Sequence, residues 1–110
     1  MYKKYVLFLF VLFIIPTGIS WKVWLNMWPE LEVIAMCESS LNPTARHFND
    51  NGTIDRGLFQ INSKHNLPLE LVYDPYWSIA FAIDKYVKGE LDIWVCHRIL
   101  TKNTGRILNL

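Results

Sequence analysis

At 110 residues, 52% of them hydrophobic, the chain has room for one domain and no more. Its formal charge of +1 comes with no basic face or polybasic tail, so the electrostatic footprint of a nucleic-acid binder is excluded. His47, His65 and His97 lack ligand-like spacing, and neither a metal nor any other cofactor is expected.

In chain order, Lys3 and Lys4 precede an apolar run over residues 6–15, which Pro16, Thr17 and Gly18 break. Gly18-Ile19-Ser20 then supplies small residues at the spacing of a cleavable export signal. The run is about half of the ~20 residues that span a bilayer. Residues 1–20 are therefore expected to be a signal peptide. The alternative is an uncleaved N-terminal membrane anchor, since Ile19, Trp21, Val23, Trp24 and Leu25 prolong the apolar character. In either case the membrane is reached only through residues 1–20, and residues 21–110 form the folded domain. Removing the first twenty residues takes two of the eleven Lys and Arg and none of the ten Asp and Glu, leaving a formal charge of −1.

Met27-Trp28-Pro29-Glu30 predicts a helix start, with proline in the first turn and acids behind it. Leu31, Ile34, Ala35 and Glu38 follow at i, i+3, i+4 and i+7, one face of a helix. Glu38 thus falls on the face that should be buried. Asn42-Pro43 is expected to stop the helix, because the residue before proline avoids helical geometry. Asn49-Asp50-Asn51-Gly52 separates two short segments and predicts a small β-hairpin with Asp55 on its second strand. Gly57, Leu58, Phe59 and Ile61 then surround Gln60.

Asp74-Pro75 reads as a cap followed by proline at the first helical position. Ile79, Ala80, Ile83, Tyr86 and Val87 form the apolar stripe of that helix, and Gly89 ends it. Residues 91–100, with Ile93, Trp94, Cys96, Ile99 and Leu100, are expected to be at least partly helical, and the polar tail after Thr101 to fray. The fold class is α+β, predominantly helical, with one small β-hairpin. Cys37 and Cys96 are the two cysteines. Export favours a disulfide between them, closing a loop of about 60 residues and contributing ~4 kcal/mol on a chain-entropy basis. Two free buried thiols are the alternative.

Two carboxyl groups carry the chemical interest. A carboxyl on the apolar face of a helix is desolvated, which raises its pKa and suits it to deliver a proton to a leaving oxygen. Asp55 sits beside Arg56 and near Asn49 and Asn51, surroundings that favour the ionised form. One protonated and one ionised carboxyl are what glycosidic cleavage requires, an arrangement borrowed here from the familiar case of lysozyme. By periodicity alone two plainer readings stay open. Glu38 is then a helix-end acid turned outward or paired with Arg46, and Asp55 a surface acid beside a turn.

The wording of the motifs adds to this. Glu38-Ser39-Ser40-Leu41-Asn42-Pro43-Thr44-Ala45 resembles the E-S-x-x-N-P-x-A opening of the lysozyme-like lytic transglycosylases. The segment from Asn51 to Ser63, NGTIDRGLFQINS, resembles their N-G-(S/T)-x-D-x-G-L-x-Q-I-N-S block, prominent in small exported members linked to secretion and conjugation machines. The 26 residues from Glu38 to Ser63 are also similar, without a gap, to the matching part of c-type lysozymes, and the step of 17 residues from Glu38 to Asp55 equals that between their two acids. Tyr73-Asp74-Pro75 with Ile79 resembles the D-P-x-x-N-I helix start of the transglycosylases, although Ser78 stands in place of Asn. Trp94-Val95-Cys96 is similar to their closing tryptophan segment, and some relatives pair a late cysteine with one beside the catalytic Glu. The A-Y-N-x-G substrate motif is not visible, which leaves the far wall of the groove unassigned.

The resemblance implies a lysozyme-like fold and cleavage of the β-1,4 bond between N-acetylmuramic acid and N-acetylglucosamine in peptidoglycan glycan strands. Glu38 becomes general acid and then base, with Asp55 as the second catalytic acid. Gly57 gives room for close backbone approach to the sugar, and Gln60 and Asn62 offer hydrogen bonds to N-acetyl and hydroxyl groups. Ser39 contacts substrate or else braces Glu38 and the helix end. Tyr73, Trp77 and Trp94 stack on sugar or else belong to the core. A hydrolytic lysozyme and a non-catalytic glycan-binding subunit are the alternative functions. A secretion, conjugation or phage assembly is the implied partner. The implied location is exported: periplasmic, cell-surface or secreted. Asn51-Gly52-Thr53 matches a glycosylation sequon but is read as turn chemistry.

Overall fold

A computed structural model describes residues 16–104. The apolar run over residues 6–15, and with it most of the expected signal, lies outside the described residues. Among the described residues the first helix, α1, spans Trp21–Asn26 and was not expected from the sequence. Ser20 caps it, its side-chain oxygen accepting from the Lys22 N–H at 3.0 Å. Trp24 and Leu25 are buried, and the Ile19 carbonyl accepts a 2.6 Å hydrogen bond from the Tyr76 hydroxyl. Ile19, Trp21, Trp24 and Leu25 thus pack into the domain, and Val23 stays exposed.

Helix α2 spans Pro29–Ser39, with Pro29 in its first turn, Glu30 and Glu32 against its positive end, and Leu31, Ile34 and Ala35 buried. It ends before the expected Asn42-Pro43 stop. Ser40 and Leu41 take left-handed φ of 55° and 62°, and the Ser39 hydroxyl oxygen accepts from the Asn42 N–H at 3.2 Å. A local side-chain hydrogen bond therefore terminates the helix ahead of the proline.

The expected hairpin is present as β1, Arg46–Phe48, and β2, Ile54–Arg56, with His47 opposite Asp55. Asn49 to Thr53 close it. The Asn49 N–H donates to the Thr53 carbonyl at 2.9 Å, and Gly52 takes φ 87°. The Asn51 side chain accepts from both the Thr53 N–H and hydroxyl, the turn chemistry read for that tripeptide. A third strand, β3 at Ile61–Asn62, extends the hairpin to a three-stranded antiparallel sheet in the order β1-β2-β3, and places Asn62 opposite Asp55.

A 3-10 turn at Ser63–His65 and the short helix α3, Leu69–Val72, lead to α4 at Pro75–Val87. Asp74 caps α4 as expected, its carboxylate accepting from the Tyr76 and Trp77 N–H groups. Every residue from Trp77 to Lys85 is buried, so this part of α4 is surrounded on all faces as the core's central rod, whereas Tyr86 and Val87, expected on the apolar stripe, are exposed at its end. Gly89, at φ 70°, follows its end. A 3-10 turn at Leu91–Ile93 and helix α5, Val95–Thr104, close the described chain; α5 continues past the expected fraying point at Thr101. Trp94 locks this return to the core. Its ring lies 5.4 Å from that of Phe59, and its indole N–H donates to the buried Phe59 carbonyl at 2.6 Å.

Candidate active site

A cleft of about 620 Å³ runs between the sheet and the start of α5. Glu38 enters it from the last turn of α2, and Asp55 from the middle strand. Gln60, Asn62, Trp94 and Arg98 line it too, with Asn49, Asn51 and Thr53 of the hairpin loop adding neutral polar groups. Three carboxyls, Glu38, Asp50 and Asp55, and the cations Lys64 and Arg98 share the lining with these amides and the Thr53 hydroxyl, which can hydrogen-bond a hydroxyl-rich ligand.

Glu38 is half-buried, at the end of the apolar stripe that its spacing placed it on. Burial pushes its carboxyl above the ordinary value of 4.5, and the Asp55 charge adds to the rise. Two groups oppose it: the Cys96 main-chain N–H, which donates to Glu38 Oε2 at 3.1 Å, and the Arg98 charge. The net result is a carboxyl that keeps its proton to higher pH than an exposed glutamate, as a general acid must.

Asp55 is held differently. The Asn62 side-chain amide donates to its Oδ1 at 2.8 Å and to the Thr53 hydroxyl at 3.1 Å. The cross-strand pairing of Asp55 with Asn62 makes this possible, because directly opposed side chains on adjacent strands meet.

Of the residues expected to touch substrate, Gln60, Asn62 and Trp94 reach the cleft, and Ser39, Gly57 and Tyr73 are not among its lining. The Ser39 hydroxyl donates to the Leu58 carbonyl at 2.7 Å, bracing the helix end against the turn between β2 and β3 rather than bonding Glu38. Gly57, at φ 83°, makes its close approach to the Val72 backbone, where an added Cβ would overlap the Val72 carbonyl oxygen. Its missing side chain accommodates protein backbone, not the sugar that the motif implied. Tyr73 packs against the core, and Trp77 is buried within it. Gln60 has two roles: it lines the cleft while its amide donates to the Ala45 and Gly57 carbonyls. Trp94 is only 3% exposed, so little of its ring is open to a sugar.

Cys37 and Cys96 form a disulfide, their Cα atoms 6.0 Å apart, in place of the two free thiols left open above. The sequence reading missed Arg98 and the Cys96 N–H. Arg98 lies outside the motifs, and the Trp94-Val95-Cys96 segment does not announce a main-chain donor to Glu38. Both reach Glu38 only because α5 is brought against α2, and the pairing of the two cysteines was the one signal for that.

The family model described as "Lysozyme like domain" matches residues 30–84, half of the chain. No curated protein matches the chain, and no solved structure does. The match takes in Glu38, Asp55, Gln60 and Asn62 and ends before Trp94, Cys96 and Arg98.

Proposed function

The chain belongs to the lysozyme-like domain family, and from that premise we propose that it is a lytic transglycosylase of peptidoglycan, cutting the β-1,4 bond between N-acetylmuramic acid and N-acetylglucosamine. Membership implies a glycan-cleaving enzyme of glycosidase type. The transglycosylase reaction and the roles below are our reading. The observation that carries it is Glu38: a half-buried carboxyl with a raised pKa, facing a polar cleft that also holds Asp55.

In this reading Glu38 gives its proton to the bridging oxygen as the bond from the muramic acid C1 breaks, and N-acetylglucosamine leaves with a free 4-hydroxyl. The resulting Glu38 carboxylate takes the proton of the muramic acid 6-hydroxyl, whose oxygen bonds to C1 and closes a 1,6-anhydro ring. No water is consumed, and Glu38 ends protonated, ready for another turnover. Asp55, fixed by Asn62, faces the positive charge that develops on the sugar. Gln60 and Asn62 orient N-acetyl and hydroxyl groups.

The second reading is hydrolysis, in which water attacks C1. It is favoured by the anchored Asp55 carboxylate, a feature that a hydrolase uses directly. A non-catalytic glycan-binding subunit fits less well, because the acid is present and its environment is tuned.

The disulfide points to an oxidising, extracytoplasmic location. Among the described residues no helix is long and apolar enough to cross a membrane. Export or anchoring by residues 1–20, and association with a secretion, conjugation or phage assembly, complete the proposal and rest on the sequence. Digestion of purified peptidoglycan with the wild-type protein and with Glu38→Gln tests the enzyme. Release of muropeptides by the wild type alone is expected. Equal release by both, or none from either, would overturn the reading.

A further inference from the structure

Helix α5 supplies the Cys96 N–H and Arg98 to Glu38, yet it is weakly held by packing. No residue of α5 from Val95 to Lys102 is buried, and Val95 and Ile99 are each 51% exposed. Trp94, buried and bonded to the Phe59 carbonyl, fixes where α5 starts. His97 reaches Glu30 of α2 at 3.6 Å and the exposed Asp92 at 2.8 Å, and Arg98 donates to the Asp92 carbonyl at 2.6 Å, all of them non-covalent ties. The covalent tie is the disulfide, and its position is specific. Cys37 is the chain neighbour of Glu38, and Cys96 is itself the residue whose N–H meets the Glu38 carboxyl.

We propose that the Cys37–Cys96 disulfide is a positioning clamp for the catalytic acid: it holds the first turn of α5 against the end of α2, keeps the Cys96 N–H on Glu38, and so makes cleavage depend on the oxidised bond. The inference rests on the role proposed for Glu38. Hydrogen bonds weaken steeply with distance and angle, so a modest swing of α5 about Trp94 breaks this one. Reduction is a balanced exchange. A dithiol gives up two electrons and two protons, the Cys37–Cys96 bond opens to two thiols, and the dithiol closes to its own disulfide. A chain in a reducing compartment then carries a misaligned acid, and lytic activity is confined to the compartment where the bond forms.

The surroundings of Glu38 give this a signature. Burial and Asp55 of β2 raise its pKa, while the two opposing groups, the Cys96 N–H and Arg98, both come from the same stretch of α5. Asp50, Lys64 and His65 also line the cleft, from the hairpin loop and the 3-10 turn, and do not move with α5. Of the two, the Cys96 N–H acts more strongly, so losing that bond while Glu38 stays covered pushes its carboxyl further up.

The full chain is compared oxidised, reduced with dithiothreitol, and as Cys37→Ser/Cys96→Ser. The Glu38 carboxyl titration is followed by carbon NMR, the folded fraction by circular dichroism, and kcat, KM and pH profile on peptidoglycan. Expected are a folded protein of lower Tm, a Glu38 titration moved to higher pH, and a kcat about tenfold lower with KM little changed, the order of one lost hydrogen bond to a charged group. An ester in place of the amide at Cys96 removes the N–H with the disulfide intact, and is expected to move the titration the same way. An unmoved titration in folded, reduced protein overturns the clamp. So does reduction that unfolds the chain outright, or activity that falls only with the unfolded fraction. Full activity of Glu38→Gln would instead defeat the proposed role of Glu38, while the titration still reports on the clamp.

Discussion

The main-chain N–H of Cys96 donates to the carboxylate of Glu38 across 58 positions of sequence, at 3.1 Å. This bond ties the end of one helix to the start of another at the point where chemistry is proposed. It opposes a larger effect, burial, and the balance leaves Glu38 with a pKa above the ordinary carboxylate value. A carboxyl poised this way carries a stability cost as well as a catalytic use.

That cost has a sign. A raised folded-state pKa means that the folded chain holds the Glu38 proton more tightly than the unfolded chain does. The associated stability is fully present below the unfolded pKa and is lost as pH rises through the folded value. Glu38→Gln retains an acceptor for the Cys96 N–H and removes the ionisation. It is expected to melt a few degrees above wild type at neutral pH, with the gap closing below the ordinary value of 4.5. The gain is small because the side chain is partly exposed. Thermal scans across pH check it, and a variant that melts lower at neutral pH would contradict it.

Activity should follow the same titration. The rate falls as pH rises through the raised Glu38 pKa, because the acid loses its proton. Arg98 lowers that pKa by its charge, so Arg98→Gln is expected to extend activity to higher pH. The alkaline limb of kcat/KM for the two proteins measures this. A limb that stays put, or moves to lower pH, would mean that Arg98 does not act on Glu38.

Two glycines separate steric demand from backbone strain. Gly57 and Gly52 have similar φ, 83° and 87°, but only at Gly57 does an added Cβ meet the Val72 backbone. Gly57→Ala is expected to cost about 3 kcal/mol or more, and Gly52→Ala about 1 kcal/mol. Urea unfolding of both variants reads the difference, and equal costs would remove the close approach as the reason for glycine at position 57.

Trp94→Phe isolates one buried hydrogen bond. The substitution keeps a ring beside Phe59 and deletes the N–H that donates to the Phe59 carbonyl. An unpaired buried carbonyl costs about 1–3 kcal/mol, and a loss of stability in that range is expected by denaturant unfolding. A neutral substitution would argue that water takes the place of the indole.

Much of this was legible in the chain because local chemistry and tertiary demand agree. Pro29 and the Leu31–Ile34–Ala35 spacing gave α2, Asp74-Pro75 gave α4, and the Asn51-Gly52 loop gave the β1–β2 pair, with Asp55 on the expected strand. What escaped depends on distant contacts. Strand β3 is two residues long, too short to display a period, and exists because it can pair with β2. Helix α1 was not expected, because its tryptophans and leucine were weighed only as an apolar continuation that favours an anchor. The Ser40 stop depends on left-handed backbone at non-glycine residues, which composition does not announce. Position put Glu38 on a buried helix face and Asp55 on a strand, and only the motif resemblance singled them out, with Asn62, as candidate site residues. Ser39 and Gly57, drawn from the two motifs, make their close contacts with protein backbone, at the Leu58 carbonyl and at Val72.

The central claim is that Glu38 cleaves peptidoglycan by intramolecular transfer, and mass spectrometry of the released muropeptides tests it most directly. The account predicts products with 1,6-anhydro ends, lighter by one water than the corresponding reducing-end fragments, formed by wild type and absent with Glu38→Gln. Products carrying only reducing ends would make the protein a hydrolase, and anhydro products persisting in Glu38→Gln would contradict the role given to Glu38.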